Sequence, residues 1–197
     1  MSDTNKSLYE IELNIADSKD FDYTKKLVVF NVFGTAGVLP IWHECDVLVC
    51  TKAGYLTEIE IKRSYADFLN DFKKEHDHKS RYIKNFYYCV PSKIKDKVLE
   101  FLDNFENRKD WRASAGLLVF YDDSRYIDTV RLPSTNNECL KLTTEQMLYL
   151  ARLGSMRVMT LKRKIIKIEE QMKKSNSAID DLEKQLEEKF DKLVIDI

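Results

Sequence analysis

Two short segments carry acidic side chains and one lysine in a pattern that suits metal-dependent hydrolysis. They are residues 43–46, His-Glu-Cys-Asp, and residues 58–62, Glu-Ile-Glu-Ile-Lys. Charged and apolar residues alternate in both, which predicts two β-strands with their charges on one face. Gly54 lies between the segments and tolerates the backbone of a tight turn, so we expect an antiparallel hairpin.

The alternation predicts which side chains share a face. In the first strand, Asp46 should lie on one face, with Cys45 and Val47 on the other. In the second strand, Glu60 and Lys62 should share a face. The hairpin would then bring Asp46 and Glu60 together on one cation.

This set of side chains fits the hydrolysis of a phosphodiester. The attack adds charge to a phosphorus centre that is already anionic, and a hard cation such as Mg²⁺ offsets it. Mg²⁺ takes one or two carboxylates and keeps several waters, which suits Asp46, Glu60 and the carbonyl of Ile61. Lys62 would orient or help to deprotonate the attacking water.

A structural alternative accounts for the same alternation. A half-solvated antiparallel strand also places charged residues every second position, facing water. If Lys62 instead faces a catalytic cleft, it contributes little packing, so Lys62→Ala should abolish cleavage and leave the fold intact.

Other periodic segments give the order of elements around the two strands. The order is α-β-β-β-α-β, then a helix and a hairpin, which predicts an α/β fold with a mixed sheet flanked by helices. The additional segments are a helix after Ser7, a strand at 27–33, a helix at 65–77, a strand at 86–90, a helix at 92–106 and a hairpin from 117–121 and 126–132.

Asp46, Glu60 and Lys62, in this order of elements, resemble the signature of the PD-(D/E)xK nuclease superfamily. From residue 43 to 120 the chain is also similar to MmcB-like DNA repair proteins and related phage nucleases. The stretches that carry this similarity are His43-Glu44-Cys45-Asp46, Gly54-Tyr55, Glu58 to Ser64, Ala66-Asp67-Phe68, Asp71, Lys73-Lys74, Tyr87 to Pro91 and Ala115 to Leu118.

The resemblance implies a restriction-endonuclease-like fold and a Mg²⁺-dependent deoxyribonuclease, with Mn²⁺ as an alternative metal, acting in DNA repair or phage DNA processing. It implies Asp46, Glu60 and Lys62 as catalytic residues, with Ile61 as a further metal ligand. Many members of the superfamily also place a glutamate of the first helix near the metal.

Two glutamates of the first helix, Glu10 and Glu12, could fill that additional position, and the sequence does not choose between them. Cys45 stands where the superfamily signature has a proline before the aspartate.

The net charge of −1 excludes bulk electrostatic attraction to nucleic acid, so any DNA contact must be local. Residues 62–84 contain more basic than acidic residues, although a solvated helix face is the alternative. The candidate phosphate-contacting residues are Arg63, Lys73, Lys74, His76, His78, Lys79 and Arg81.

Histidines and cysteines argue against several other classes. His43 lacks the second histidine of the helical zinc-protease motif, and His76 and His78 have no third zinc ligand nearby in sequence. The four cysteines form no Cys-x-x-Cys pair, which predicts reduced thiols and a cytoplasmic protein. No apolar run is long enough for a membrane span, so we expect no membrane partner.

The C-terminal part changes character, and we predict a nuclease-like domain at 1–140 and a helical tail at 141–197. Apolar residues repeat with a heptad a/d spacing from Val158 to Leu193. The segment 155–193 is therefore expected to form one long helix that pairs in a homodimer or with another helical partner. Folding back as a hairpin near residues 174–177 is the alternative.

Two functions remain open. The first is a metal-dependent nuclease that hydrolyses DNA; RNA stays open as a substrate because an RNA-directed enzyme would use the same site. The second is a catalytically inactive nuclease-fold protein that acts as a nucleic-acid-binding or protein-interaction scaffold through its coiled coil.

Overall fold

A computed structural model describes residues 2–34, 38–74, 80–104 and 106–195. The chain forms two compact units, Met1–Gly154 and Ser155–Ile197. The first unit contains a six-stranded mixed sheet whose strands lie side by side in chain order. The strands are β1 (Leu27–Phe33), β2 (Glu44–Cys50), β3 (Leu56–Ile61), β4 (Ile83–Pro91), β5 (Gly116–Phe120) and β6 (Ile127–Arg131).

The pairing of the strands confirms both predicted hairpins. β1 with β2, β2 with β3, and β5 with β6 are antiparallel, whereas β3, β4 and β5 run parallel to one another. Gly54 lies in the turn between β2 and β3 with a φ of +83°, a conformation that glycine adopts without steric cost.

Three helices of the first unit complete the predicted α-β-β-β-α-β order and the helix that follows it. They are α1 (Leu8–Asp17), α2 (Tyr65–Asp71) and α3 (Lys95–Asp103). Ser7 and Glu10 form a reciprocal capping box at the start of α1, and Ser64 caps α2 through the amide of Asp67. The helix predicted at 92–106 is shorter than expected, because residues 92–94 form a separate 3₁₀ turn.

Helix α2 also ends earlier than the predicted residue 77. Arg112 donates hydrogen bonds to the backbone carbonyls of Asp71 and Phe72. In a longer helix those carbonyls would accept from amides one turn further along the chain. A tertiary contact therefore ends this helix at Asp71, and residues 75–79 lie outside the described residues.

Apolar side chains cover both faces of the sheet. On one face, which we call the α2-side core, Phe68 of α2 and Val98 of α3 pack with apolar residues of the sheet, Tyr88 among them. On the other face, the α1-side core, Ile11 and Ile15 of α1 pack with a second group of strand residues. Burial on two faces explains why β4 and β5 read as nearly continuous apolar runs.

The alternation predicted for β2 is wrong in the first half of the strand. Cys45 belongs to the α2-side core and Val47 to the α1-side core, so these two residues do not share a face. The irregularity has a counterpart in β1, where Asn31 has a positive φ of 51° between the residues that pair with Cys45 and Val47. A left-handed residue interrupts the pleat of the pair and turns Cys45 to the other side.

The first unit extends beyond the predicted boundary at residue 140. Leu142 and Leu150 are buried in the α2-side core, and Met147 and Leu153 pack against it. The start of helix α4 (Thr144–Ile195) therefore belongs to this unit, and Thr143 and Gln146 cap it reciprocally.

The second unit is helical throughout its described residues, so the predicted long helix is confirmed. The alternative hairpin near residues 174–177 is wrong, because these residues continue the helix without a turn. The a/d side chains are each more than two-fifths exposed; they are Val158, Leu161, Ile165, Ile168, Met172, Ile179, Leu182 and Leu186. No helix within the described residues combines the length and apolar character needed to cross a membrane.

Candidate functional site

Asp46 lies where β2 and β3 separate. The ladder between these strands ends at the pair Val47–Ile59, and beyond it the backbone amide of Ile61 donates a hydrogen bond of 2.8 Å to Oδ2 of Asp46. The carboxylate thus takes the place of a backbone acceptor and reaches the peptide group between Glu60 and Ile61. The structure brings Asp46 into contact with the backbone of the second motif, while its meeting with Glu60 on one cation stays a prediction.

Glu60 and Lys62 share the face of β3 that points to the α2-side core, opposite Ile59 and Ile61. Nζ of Lys62 donates to Oε1 of Glu60 at 2.8 Å and to Oδ1 of Asp71 at 2.9 Å. Lys62 is only 3% exposed and Glu60 only 6%. The expectation that Lys62 faces an open cleft is therefore wrong, because the lysine bridges two carboxylates inside the protein.

Asp71 organises this buried network, although it was not among the predicted site residues. The hydroxyl of Tyr88 donates to Oδ2 of Asp71 at 2.8 Å, and the ammonium of Lys74 lies 3.1 Å from Oδ1. A sequence signal was present, since Asp71 is three residues after Phe68 and so falls on the apolar face of α2. A carboxylate on a buried helix face needs a partner in the core.

The ion pairs hold Lys62 in its charged form. Burial alone would lower the pKa of this lysine, but Glu60 and Asp71 outweigh burial and raise the pKa above its ordinary value. A lysine with a raised pKa remains an ammonium at neutral pH. Lys62 can therefore supply positive charge and hydrogen bonds, but it cannot serve as the base that deprotonates water.

The two glutamates of α1 have different environments. Glu10 is the partner of Ser7 in the capping box, and hydrogen bonds from Ser7 lower its pKa. Glu12 is buried and accepts a hydrogen bond of 3.0 Å from Asn31. Burial raises the pKa of Glu12, and the charge of Asp46 raises it further, so Glu12 is the helix glutamate beside the motif.

The electrostatic effects of Asp46 reach both sides of the sheet, whereas those of Glu60 lie on the α2 side. Asp46 raises the pKa of Glu12 and of Cys89 on the α1 side, and it also contributes to the raised pKa of Cys45 on the α2 side. Glu60 acts on Lys62 and Tyr88 on the α2 side. An ion shared by Asp46 and Glu60 would therefore lie at the gap between β2 and β3, at the end of the ladder.

The residues proposed to contact nucleic acid divide into three groups. Lys73 and Lys74 are exposed at the end of α2. Arg63 is half-buried and donates to the carbonyl of Lys6, while Arg81 stacks over Tyr82 with its guanidinium carbon 5.6 Å from the ring centre. The remaining three, His76, His78 and Lys79, lie outside the described residues.

No protein-family model matches this chain, and no curated protein shows significant similarity to it. Among solved structures, the chain is similar to the SPO1766 protein of unknown function from Silicibacter pomeroyi. The two share 17% identity over 73% of this chain and 81% of that chain, with a TM-score of 0.45. The neighbour's function is unknown, so a functional assignment depends on the geometry of the site.

Proposed function

We propose that this protein is a Mg²⁺-dependent nuclease of the PD-(D/E)xK type that hydrolyses phosphodiester bonds of DNA. The observation that carries the proposal is the contact between Asp46 and the Glu60–Ile61 peptide, next to the Glu60–Lys62 ion pair. The end of the β2–β3 ladder next to these residues supports a shared site.

The donor set suits a hard cation. Asp46 and Glu60 provide carboxylate oxygens. The backbone carbonyl of Ile61, the residue between Glu60 and Lys62, is a further proposed ligand. The charge of Asp46 raises the pKa of Glu12, which indicates that the two carboxylates are near each other. We therefore choose Glu12 over Glu10 for the additional position. When bound, Mg²⁺ supplies positive charge to the phosphate and a water of lowered pKa; Mn²⁺ supplies the same chemistry.

The residues of the chain have separate roles in this proposal. Asp46 and Glu60 hold the metal, and Lys62 stays protonated and offsets the charge that develops on the phosphate. Lys73 and Lys74, exposed after α2, are our choice for contacts with the DNA backbone.

The proposal is tested by incubating the full chain with plasmid and with single-stranded DNA in Mg²⁺, in Mn²⁺ and in excess chelator. We expect metal-dependent cleavage that falls at least about 100-fold in Glu60→Gln, as removal of one group that stabilises transition-state charge typically does. Glutamine keeps the side-chain length and an oxygen for Lys62, so far-ultraviolet circular dichroism should stay unchanged.

Two results would reject the nuclease: no cleavage by the wild type with either metal, or equal cleavage by wild type and Glu60→Gln. RNA of matched sequence is tested in the same assay. Faster cleavage of RNA than of DNA would support the proposed site but identify RNA as the substrate.

A second function is favoured by one observation, the enclosure of Lys62 between two carboxylates. A buried ion pair network of this kind also serves as a structural element of a core. The protein would then be a catalytically inactive scaffold that binds nucleic acid or protein partners. This candidate predicts DNA binding in a mobility-shift assay that does not depend on Glu60 and no cleavage under any metal condition.

The second unit carries our proposal for a partner. Residues 155–195 form a helix of about 60 Å, and its exposed heptad stripe is apolar. Such a stripe is buried when two helices pair in a coiled coil, and we propose a second copy of this chain as the partner.

Removing residues 155–197 should convert the particle in solution from two chains to one. The remainder, Met1–Gly154, keeps both cores and should stay folded. Light scattering measures the mass, and Lys162→Ala in the full chain, at an exposed position off the a/d stripe, is the control that should leave it unchanged. The homodimer is contradicted if the particle contains the same number of chains before and after truncation.

A further inference from the structure

A second cluster of potential metal ligands lies beside the nuclease motif and takes no part in it. Nε2 of His43 is 2.8 Å and 2.9 Å from the two carboxylate oxygens of Glu58, and Sγ of Cys45 is 3.4 Å from the same Nε2. In the described part of the chain, these side chains form a group of three whose ligand atoms all lie within 4.8 Å of one another.

The irregular pleat of the β1–β2 pair creates this cluster. With regular alternation Cys45 would face α1, away from Glu58, but the interruption at Asn31 turns it to the α2 side. His43, immediately before β2, then reaches across to Glu58 on β3. The local backbone conformation thus brings together three side chains that a regular hairpin would separate.

The contacts argue against a nucleophile relay. In a Cys-His-acid triad, the imidazole uses one nitrogen for the thiol and the other for the acid. Here the thiol and the carboxylate both meet Nε2 of His43. Three potential ligand atoms within 4.8 Å of one another could instead surround a shared ion. Cys45 and Glu58 are also fully enclosed, which leaves no room for a substrate at the sulfur.

We propose that His43, Cys45 and Glu58 form a Zn²⁺ site that is distinct from the proposed Mg²⁺ site. Histidine nitrogen, cysteine sulfur and a carboxylate oxygen are the three donor types that zinc takes in proteins. The soft thiolate disfavours Mg²⁺, which prefers oxygen ligands, so the two sites should select different metals.

Only small movements separate the observed distances from those of a zinc centre. With zinc bonds of about 2.0 Å to N and O and about 2.3 Å to S, tetrahedral ligands lie about 3.3 Å apart for N and O and about 3.6 Å apart for N and S. The N–O contact would have to open by roughly half an ångström and the N–S contact by less. Side-chain rotation is sufficient for changes of this size.

Burial and charge favour a cation at this position. Glu58 is fully buried, and Glu60 and Asp46 lie in the adjacent part of the sheet, so negative charge is concentrated there. Three protein ligands leave one position for water, as in zinc sites that are not fully closed by protein. The side chain of His43, 11% exposed, marks the side from which an ion would enter.

The test is titration of the metal-free full chain with Co²⁺ and with Zn²⁺. We expect one equivalent to bind and the Co²⁺ form to show a thiolate-to-metal charge-transfer band in the near ultraviolet. In Cys45→Ala the band should vanish and zinc affinity should fall at least about 100-fold, because even changes outside the ligand shell cost 10–100-fold. His43→Ala and Glu58→Gln should also weaken binding.

Two controls locate the effect. Cys50→Ala removes another buried thiol of the same strand and should keep the band, and Asp46→Asn should keep it while losing the proposed Mg²⁺ function. Failure of the nuclease assay therefore leaves this result untouched.

The proposal is overturned if no metal binds, which would mean that His43 and Glu58 form an ion pair only, or if Cys45→Ala retains the full band. Should Cys45→Ala fail to fold, Glu58→Gln decides, since it keeps volume and removes the anionic ligand; unchanged zinc affinity in that variant would equally reject the site.

Discussion

Lys62→Ala is expected to lower the free energy of unfolding by about 3–5 kcal/mol, as measured by urea denaturation. The substitution removes the buried ammonium that pairs with both Glu60 and Asp71, while the exposed Lys74 keeps its contact with Asp71. Breaking a buried ion pair from one side costs this much because an uncompensated charge stays inside the protein. A domain is usually stable by only 5–15 kcal/mol, so a large part of the stability is at stake.

Lys74→Ala is the matched control, since its ammonium is 3.1 Å from the same oxygen of Asp71 but its side chain is 55% exposed. Water screens such a pair, and the expected loss is below about 1 kcal/mol. Equal losses for the two variants would contradict the internal role of Lys62. The earlier expectation that Lys62→Ala would leave the fold intact is thereby reversed, and loss of activity in that variant would not identify a catalytic role.

The pH dependence of this effect follows from the direction of the pKa shift. The pKa of Lys62 is raised in the folded state above its ordinary value of 10.5. The stability that its charge contributes is therefore complete below pH 10.5 and is lost only as the pH rises towards the raised folded-state value. The contribution of the Lys62 charge to the stability of the wild type should thus be the same at pH 7 and pH 9 in urea denaturation.

Asp46→Asn should reduce Mg²⁺-dependent cleavage at least about 100-fold while the fold is retained. Asparagine has the same shape as aspartate, and its carbonyl oxygen can still accept from the amide of Ile61. What is lost is the negative charge that would hold the proposed cation. Asp46 is half-buried, so the substitution does not leave an uncompensated charge in the core.

Glu44→Gln is the matched control for this prediction. Glu44 is an exposed acid of the same strand, two residues before Asp46, and should not affect turnover. Rates are compared over a range of Mg²⁺ concentrations, because a lost ligand should also raise the concentration required for half-maximal activity. Equal rates for wild type and Asp46→Asn would remove Asp46 from the site.

The architecture was largely accessible from sequence because it depends on local chemistry. Apolar periodicity predicted the sheet strands, Ser7 predicted the start of a helix, and Gly54 predicted a turn. Each of these signals acts within a few residues of the chain. The end of α2 was missed because Arg112, far away in sequence, supplies the contacts that stop the helix.

The candidate site was likewise predictable from sequence only in part. Residue types and spacing identified Asp46, Glu60 and Lys62 as a group, since adjacent strands of a hairpin must lie side by side. They did not show that Lys62 is buried, that Asp71 is its second partner, or that Glu12 rather than Glu10 lies beside Asp46. Those facts depend on how α1 and α2 pack on the sheet.

By itself, the sequence determined the order of strands and helices, the hairpin that joins the two motifs and the heptad stripe of the tail, because each follows from short-range periodicity. Only the tertiary structure decided the enclosure of Lys62, the continuity of the tail helix and the meeting of His43, Cys45 and Glu58. Burial and ion pairing depend on side chains that are distant in the chain. A left-handed residue, Asn31, interrupts the β1–β2 pair, and Cys45 lies on the face opposite to the one that alternation predicts.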